Sequence, residues 1–206
     1  ETRTKPSGDY YSGVWRSLDG TTVRQFDTST KMSCCLKGKV LHLYGDSTIR
    51  QWFEYLTETL PGRCLKTFDL KSPKQNGSFL VLDYPYNILV SFRWTNSVVI
   101  GIWSHFSTFP VEVYIRCLLS IRREMERLLT RAPGTLVIIR TANPEMTGIP
   151  YSMIRSLRAI FKRVKVRLVD AWEMTLAHHL PHNLHPQPPI IKNMINVVLS
   201  HVSPQQ

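Results

Sequence analysis

The 206-residue chain has no run of about 18 apolar residues, so no segment of it is long enough to cross a membrane as a helix. No signal-peptide pattern is visible. The chain begins at Glu1 without Met, as a processed product or a fragment would. Internal repeats and low-complexity tracts are absent, which excludes solenoid and fibrous classes. Cysteine is scarce, at Cys34, Cys35, Cys64 and Cys117, and the spacing does not suit a zinc site. An even count in a compact domain allows disulfides in an oxidising compartment, with three pairings open. A bridge from Cys34 or Cys35 to Cys64 would tie the segment before the first strand to the end of the first helix. Acidic residues are also few, 15 against 26 Lys and Arg, for a net charge of +11. That balance suits nucleic acid, anionic glycans or acidic membrane surfaces. The interleaved aromatic and basic residues of a base-stacking platform are missing, so nucleic acid is not the expected partner. The cations concentrate in Arg116–Arg131 and Arg155–Arg167, where solvated helix faces account for them.

What is present is a strand–turn–helix unit at Val40–Leu60. Val40–Tyr44 is a short apolar run, and Gly45-Asp46-Ser47 makes a turn. Ile49, Trp52, Phe53, Leu56 and Leu60 then repeat at helical spacing. Ser47 falls where the strand stops and the helix starts, at the carboxyl edge on which open α/β sheets place their sites. It reads either as a helix N-cap or as a nucleophilic serine that needs a His elsewhere.

Residues 1–38 are polar and read as an extended lead-in packed on the domain that follows at 39–206. Pro61-Gly62 stops the first helix. Residues 63–78 read as loop, and Phe79–Asp83 as a short strand. Asn87–Arg93 and Val98–Trp103 are β-rich runs joined by only Trp94–Ser97. A parallel crossover needs a dozen residues or more, so the two form a hairpin or a crossover has been lost. A helix from Pro110 to Arg131, a strand at Thr135–Arg140, a helix at Tyr151–Lys162, a strand at Val164–Val169 and a helix at Ile190–Leu199 complete the pattern. Alternation of strand and helix makes the class α/β with a mainly parallel sheet.

Four of the seven His fall in Ala177–Pro186, AHHLPHNLHP, before the last helix. The tract reads as an exposed loop, a fortuitous metal site or the source of a general base. His185 leads into the final helix and lies on the same edge as Ser47. Asp170 ends the last strand there, placed to orient an imidazole. His105 and Asn143 follow two other strands to that edge, placed to donate to an oxyanion. Their alternatives are a packed loop residue and a turn residue before Pro144. His42 reads as structural and His201 as a surface residue.

LHLYGDSTIRQWFEYL, HFSTFPVEVYIR, VDAWEMT and HNLHP, in this order, resemble the carboxyl-terminal PC-esterase domain of the NXPE family (neurexophilin and PC-esterase domain proteins). The Gly45-Asp46-Ser47 turn and a His before the last helix resemble the wider SGNH, GDSL-like hydrolase fold. The resemblance implies a three-layer SGNH-like α/β domain, secreted or in the Golgi lumen. It implies acyl-ester chemistry on glycans, with sialic acid O-acetylation linked to the family. Ser47 is then the nucleophile, His185 the base, Asp170 the acid, and Asp46, His105 and Asn143 oxyanion or substrate residues. Acetyl-CoA is the expected acyl donor, a glycan or sialoglycan the substrate, and no bound cofactor or metal is expected. Two departures stand. SGNH proteins place the acid three residues before the His, and here that position is His182. The Arg93–Ser97 join also lacks the second-block segment with its glycine. The alternative reading is therefore a secreted binding module that keeps the fold with impaired catalysis.

Overall fold

The structure, a computed structural model, describes residues 6–60, 80–83, 88–91, 97–101, 103–106, 108–144 and 151–203. The side chains of 80–83, 88–91 and His105 lie outside that description. In chain order the elements are β1 (Gly8–Tyr11), β2 (Val14–Ser17), α1 (Ser29–Leu36), β3 (Val40–Gly45), α2 (Ser47–Thr59), β4 (Leu80–Asp83) and β5 (Ile88–Ser91). They continue with β6 (Ser97–Gly101), α3 (Val111–Arg131), β7 (Leu136–Arg140), α4 (Tyr151–Phe161), β8 (Arg167–Val169), α5 (Ala171–Leu176) and α6 (Pro188–Val202). β1 and β2 form a hairpin of their own; the others make one sheet in the order β4-β5-β3-β6-β7-β8. From β5 to β8 every pairing is parallel, and β4 adds an antiparallel edge.

The sheet is covered on both faces, which is why its central strands read as continuous apolar runs. Alternation along β7 assigns the layers. Ile138 joins a core with Ile49, Trp52, Leu56, Met194 and Val198, so α1, α2 and α6 cover one face. Val137 and Ile139 join Tyr114, Leu118, Ile154 and Leu157, so α3 and α4 cover the other. This is a three-layer α/β/α domain. Gly45 and Gly101 lie side by side in register at the ends of β3 and β6. A Cβ on Gly45 would sit 2.3 Å from the Gly101 carbonyl oxygen and 2.5 Å from Ile49 Cγ1. The missing side chains let α2 press onto the strand ends and bring its first turn to the carboxyl edge.

The strand runs at 87–93 and 98–103 do not form a hairpin. β5 and β6 both pair parallel to β3, one on each side of it. The register sets Ser91 opposite His42 and Ser97 opposite Leu41, so β5 ends at nearly the level where β6 begins. The join at 92–96 lies outside the described residues.

The lead-in is more structured than an extended segment. Besides the β1–β2 hairpin it contains α1, capped by Thr28, whose hydroxyl accepts from the Lys31 amide at 3.2 Å. It is fixed along α6 by a row of side chains. Asn193 Oδ1 accepts from the Trp15 amide at 2.9 Å, Asn196 Oδ1 from the Phe26 amide at 3.0 Å, and Ser200 Oγ from the Arg24 amide at 2.9 Å. These positions lie on one stripe of the helix. Cys34, Cys35 and Cys117 are free thiols; Cys64, the partner expected for one of the first two, lies outside the described residues. Among the described residues no helix is long and apolar enough to cross a membrane.

Candidate active site

Ser47 is the first residue of α2, and it is not the cap. Asp46 takes that role: its backbone is extended and its Oδ1 accepts from the Thr48 amide at 3.0 Å and the Thr48 hydroxyl at 2.6 Å. Asp46 Oδ2 accepts from the amides of Ser104 at 3.0 Å and Trp103 at 3.4 Å. One carboxylate thus fastens the end of β3 to the turn after β6. Burial alone would raise this carboxyl, but the bonds from Ser104 and Thr48 outweigh it and hold it below the ordinary carboxylate value.

With the cap supplied next door, the Ser47 hydroxyl is left to His185. His185 Nε2 lies 2.8 Å from Ser47 Oγ, across 138 residues of sequence. His185 is exposed and Ser47 half-buried, so the pair opens to solvent at the sheet's carboxyl edge. The N-terminus of α2 lies at the same point, and its dipole favours negative charge developing there.

The loop that presents His185 is held by its carbonyls. Asn143 Nδ2 donates to Leu184 O at 2.7 Å and to Asn183 O at 3.1 Å. Gln51, one turn beyond Ser47 on α2, donates to Pro186 O at 3.4 Å. Asn143 Oδ1 in turn accepts from the guanidinium of Arg140. Arg140 ends β7 and is 1% exposed. It also donates to Thr141 O at 3.1 Å and lies over the Trp52 ring, 5.6 Å from its centroid. Burial pulls its pKa down to about 10, against the opposing pull of the Asp46 charge, so it stays a cation at neutral pH.

Of the residues expected from sequence, the structure brings Ser47, Asp46, Asn143 and His185 together, with Asn143 behind the His185 loop. Its carboxamide is bonded to that loop and to Arg140. Asp170 is not brought to His185. Its carboxylate accepts from Arg158, from the Thr141 hydroxyl at 3.3 Å and from the Glu173 amide at 3.4 Å, where it caps α5. It lines a cavity of about 200 Å³ with Asp19, Arg158 and His201, and neither Ser47 nor His185 borders that cavity. Among the described residues no carboxylate is bonded to His185. His105 lies in the Ser104–Phe106 turn that Asp46 anchors; its side chain lies outside the described residues. His201 is half-buried on α6 instead of lying on the surface. His178 packs edge-on to Tyr10, with ring centroids 4.8 Å apart, and serves the lead-in. Among the described residues no group of three or more His, Cys, Asp or Glu is placed to hold a metal ion.

Sequence reading passed over Arg140 and Gln51. The signal for Arg140 was a charge closing an otherwise apolar central strand, where an unpaired cation is costly. Gln51 carried no signal beyond standing four residues after Ser47, on the same helix face.

Compared with protein-family models, the chain matches the one described as "NXPE family member 4-like, C-terminal domain" in two stretches, 15–97 and 94–202. The stretches meet at residues 94–97, the short join between the runs that contain β5 and β6.

Proposed function

The chain belongs to the NXPE family, and from that premise we propose that it transfers an acyl group through Ser47, with His185 as the proton shuttle. The observation that carries the proposal is the 2.8 Å approach of His185 Nε2 to Ser47 Oγ, the mark of an activated nucleophile. Neutral His185 takes the hydroxyl proton as Ser47 Oγ attacks the acyl carbon. The tetrahedral oxyanion forms at the N-terminus of α2, whose dipole opposes its charge. As the intermediate collapses, protonated His185 gives its proton to the leaving group, and an acyl-Ser47 ester remains. A hydroxyl acceptor or water then attacks the ester, His185 removes its proton, and the same proton returns to Ser47 Oγ.

The acceptor in this reading is a glycan hydroxyl, sialic acid included, and the donor an acetyl thioester such as acetyl-CoA. The net charge of +11 suits an anionic donor or acceptor. The setting is the secretory route, the Golgi lumen or the outside of the cell. A second reading, a binding module that keeps the fold without turnover, has one observation in its favour: no carboxylate orients His185 among the described residues.

Labelling with a fluorophosphonate serine probe separates the two. The enzyme reading expects one phosphonylated residue, Ser47, with labelling abolished in Ser47→Ala and reduced by about 10³-fold or more in His185→Ala. A folded wild-type protein that does not label would overturn it and leave the binding module.

A further inference from the structure

We propose that Arg140 is a positioning residue for the dyad: through Asn143 its guanidinium fixes the loop that carries His185, and with it the alignment of His185 against Ser47. The proposal rests on the reading of Ser47 and His185 as an acyl-transfer pair.

A histidine base works when its ring is held in one orientation, a task that a carboxylate on the second ring nitrogen commonly performs. Asp170 is committed to Arg158, Thr141 and Glu173 and does not do so here. Besides its ring contact with Ser47, the described contacts that hold the His185 loop fall on the backbone of its neighbours. Asn143 Nδ2 holds the two carbonyls before it, and Gln51 holds the one after it. Asn143 can hold both carbonyls only with its amide nitrogen turned toward the loop, which requires its oxygen to face the other way. Arg140 lies on that other side and donates to this oxygen. A guanidinium has donors only, so it admits one orientation of the carboxamide and rejects the flipped one.

The second arm of the guanidinium holds Thr141 O, and its Cζ lies over the ring of Trp52 of α2, the helix that begins with Ser47. Arg140 therefore touches the nucleophile's helix and, through one residue, the base's loop. Asn143 and Trp52 both come with fixed partners in a closely packed interior, Asn143 being fully buried and Trp52 likewise. A fork is needed for this: a lysine ammonium is a point charge and does not reproduce the two donations of a planar guanidinium. The position also explains why the strand tolerates a buried cation. Its two terminal nitrogens are bonded to Asn143 and Thr141 and the field of Asp46 favours its charge, while Nε is buried without a hydrogen-bond partner.

The test is a double-mutant cycle on full-length protein, using Arg140→Lys and Asn143→Ala, with the rate of fluorophosphonate labelling as the readout. Asn143→Asp is the second variant. It keeps an oxygen for Arg140, which secures the fold, but removes both donors to the loop. Each single variant is expected to label about 100-fold more slowly, as a misplacement near 1 Å would give. The double variant should be no slower than either single one, because both break the same device. Losses that multiply in the double variant, or full activity in Arg140→Lys, overturn the proposal. A second readout does not depend on reactivity. Amide exchange over residues 183–185 and the NMR shift of the His185 ring should change in all three variants while global unfolding stays cooperative. If wild-type protein fails to label, the acyl-transfer reading falls. The exchange and shift data then decide the positioning alone, and unchanged values sink it.

Discussion

Replacing Asp46 by alanine separates the roles that one carboxylate plays at the end of β3. The helix cap is the first loss, about 1 kcal/mol. The amides of Ser104 and Trp103 then lose their acceptor. A buried unpaired donor costs about 1–3 kcal/mol, with the 3.4 Å Trp103 bond at the bottom of that range. The sum is about 3–5 kcal/mol, which for a domain of this size lowers Tm by roughly 10 °C. Asp46→Asn isolates the charge. Asparagine caps a helix as well as aspartate, so the Thr48 side survives. The Ser104 side then loses a charged acceptor, about 1–2 kcal/mol. Acid titration adds an independent handle. The native carboxyl titrates below its ordinary value. Its ionised form therefore stabilises the fold above the ordinary carboxylate range, and that stability is lost as pH falls through the native value. Asp46→Asn should flatten this part of the acid limb in a denaturant series run from pH 6 to about pH 2. A loss below about 1 kcal/mol in Asp46→Ala, or an acid limb in Asp46→Asn that overlays wild type, would refute this account of the strand end.

Two further outcomes follow from the same geometry. Asp170→Asn should cost about 2 kcal/mol, because Arg158 loses a partly buried partner, yet leave the pH profile of probe labelling unchanged. A triad acid at that position would instead drop the rate by about 10⁴, which kinetics on the folded variant would reveal. Asn193→Ala should free the β1–β2 hairpin from α6 and cost about 2–3 kcal/mol, since the buried Trp15 amide is left unpaired. Hydrogen exchange at Trp15 should rise far more than exchange in β7; equal protection at both would exclude the tether.

The approach of Ser47 and His185 was legible because each sits on a strong local pattern. Ser47 lies where a period-2 run gives way to a period-3.6 run, and His185 lies between a strand and a proline-started helix. Their shared placement needed only the rule that sites gather at the carboxyl edge. Asp170 obeyed the same rule and lies elsewhere, because edge position does not say which neighbour a carboxylate meets, and Arg158 lies one helix away on the same side. Asn143 was expected at this edge, but its bonds to the His185 loop and to Arg140 were not foreseen. A side chain bonded to backbone carbonyls leaves no trace in periodicity. The strand order is hidden from sequence for a related reason. Two apolar runs five residues apart look like neighbours, and nothing local announces that β3 lies between them. α1 lies inside a lead-in whose polar composition masks the buried stripe of Met32, Cys35 and Leu36.

α6 is buried around almost its whole circumference, from Ile190 to Val202, and the lead-in closes its outer side through contacts that span 170 to 178 residues. Such pairings are among the slowest to form, because the intervening chain must be ordered first. A helix this apolar stays exposed until the first-made segment returns to it, and exposed apolar surface of this kind invites association between chains. The folding of this domain is therefore closed by its earliest residues. Moving the lead-in to follow α6 in a rearranged chain would turn its longest-range contacts into local ones and should shorten the interval in which copies aggregate.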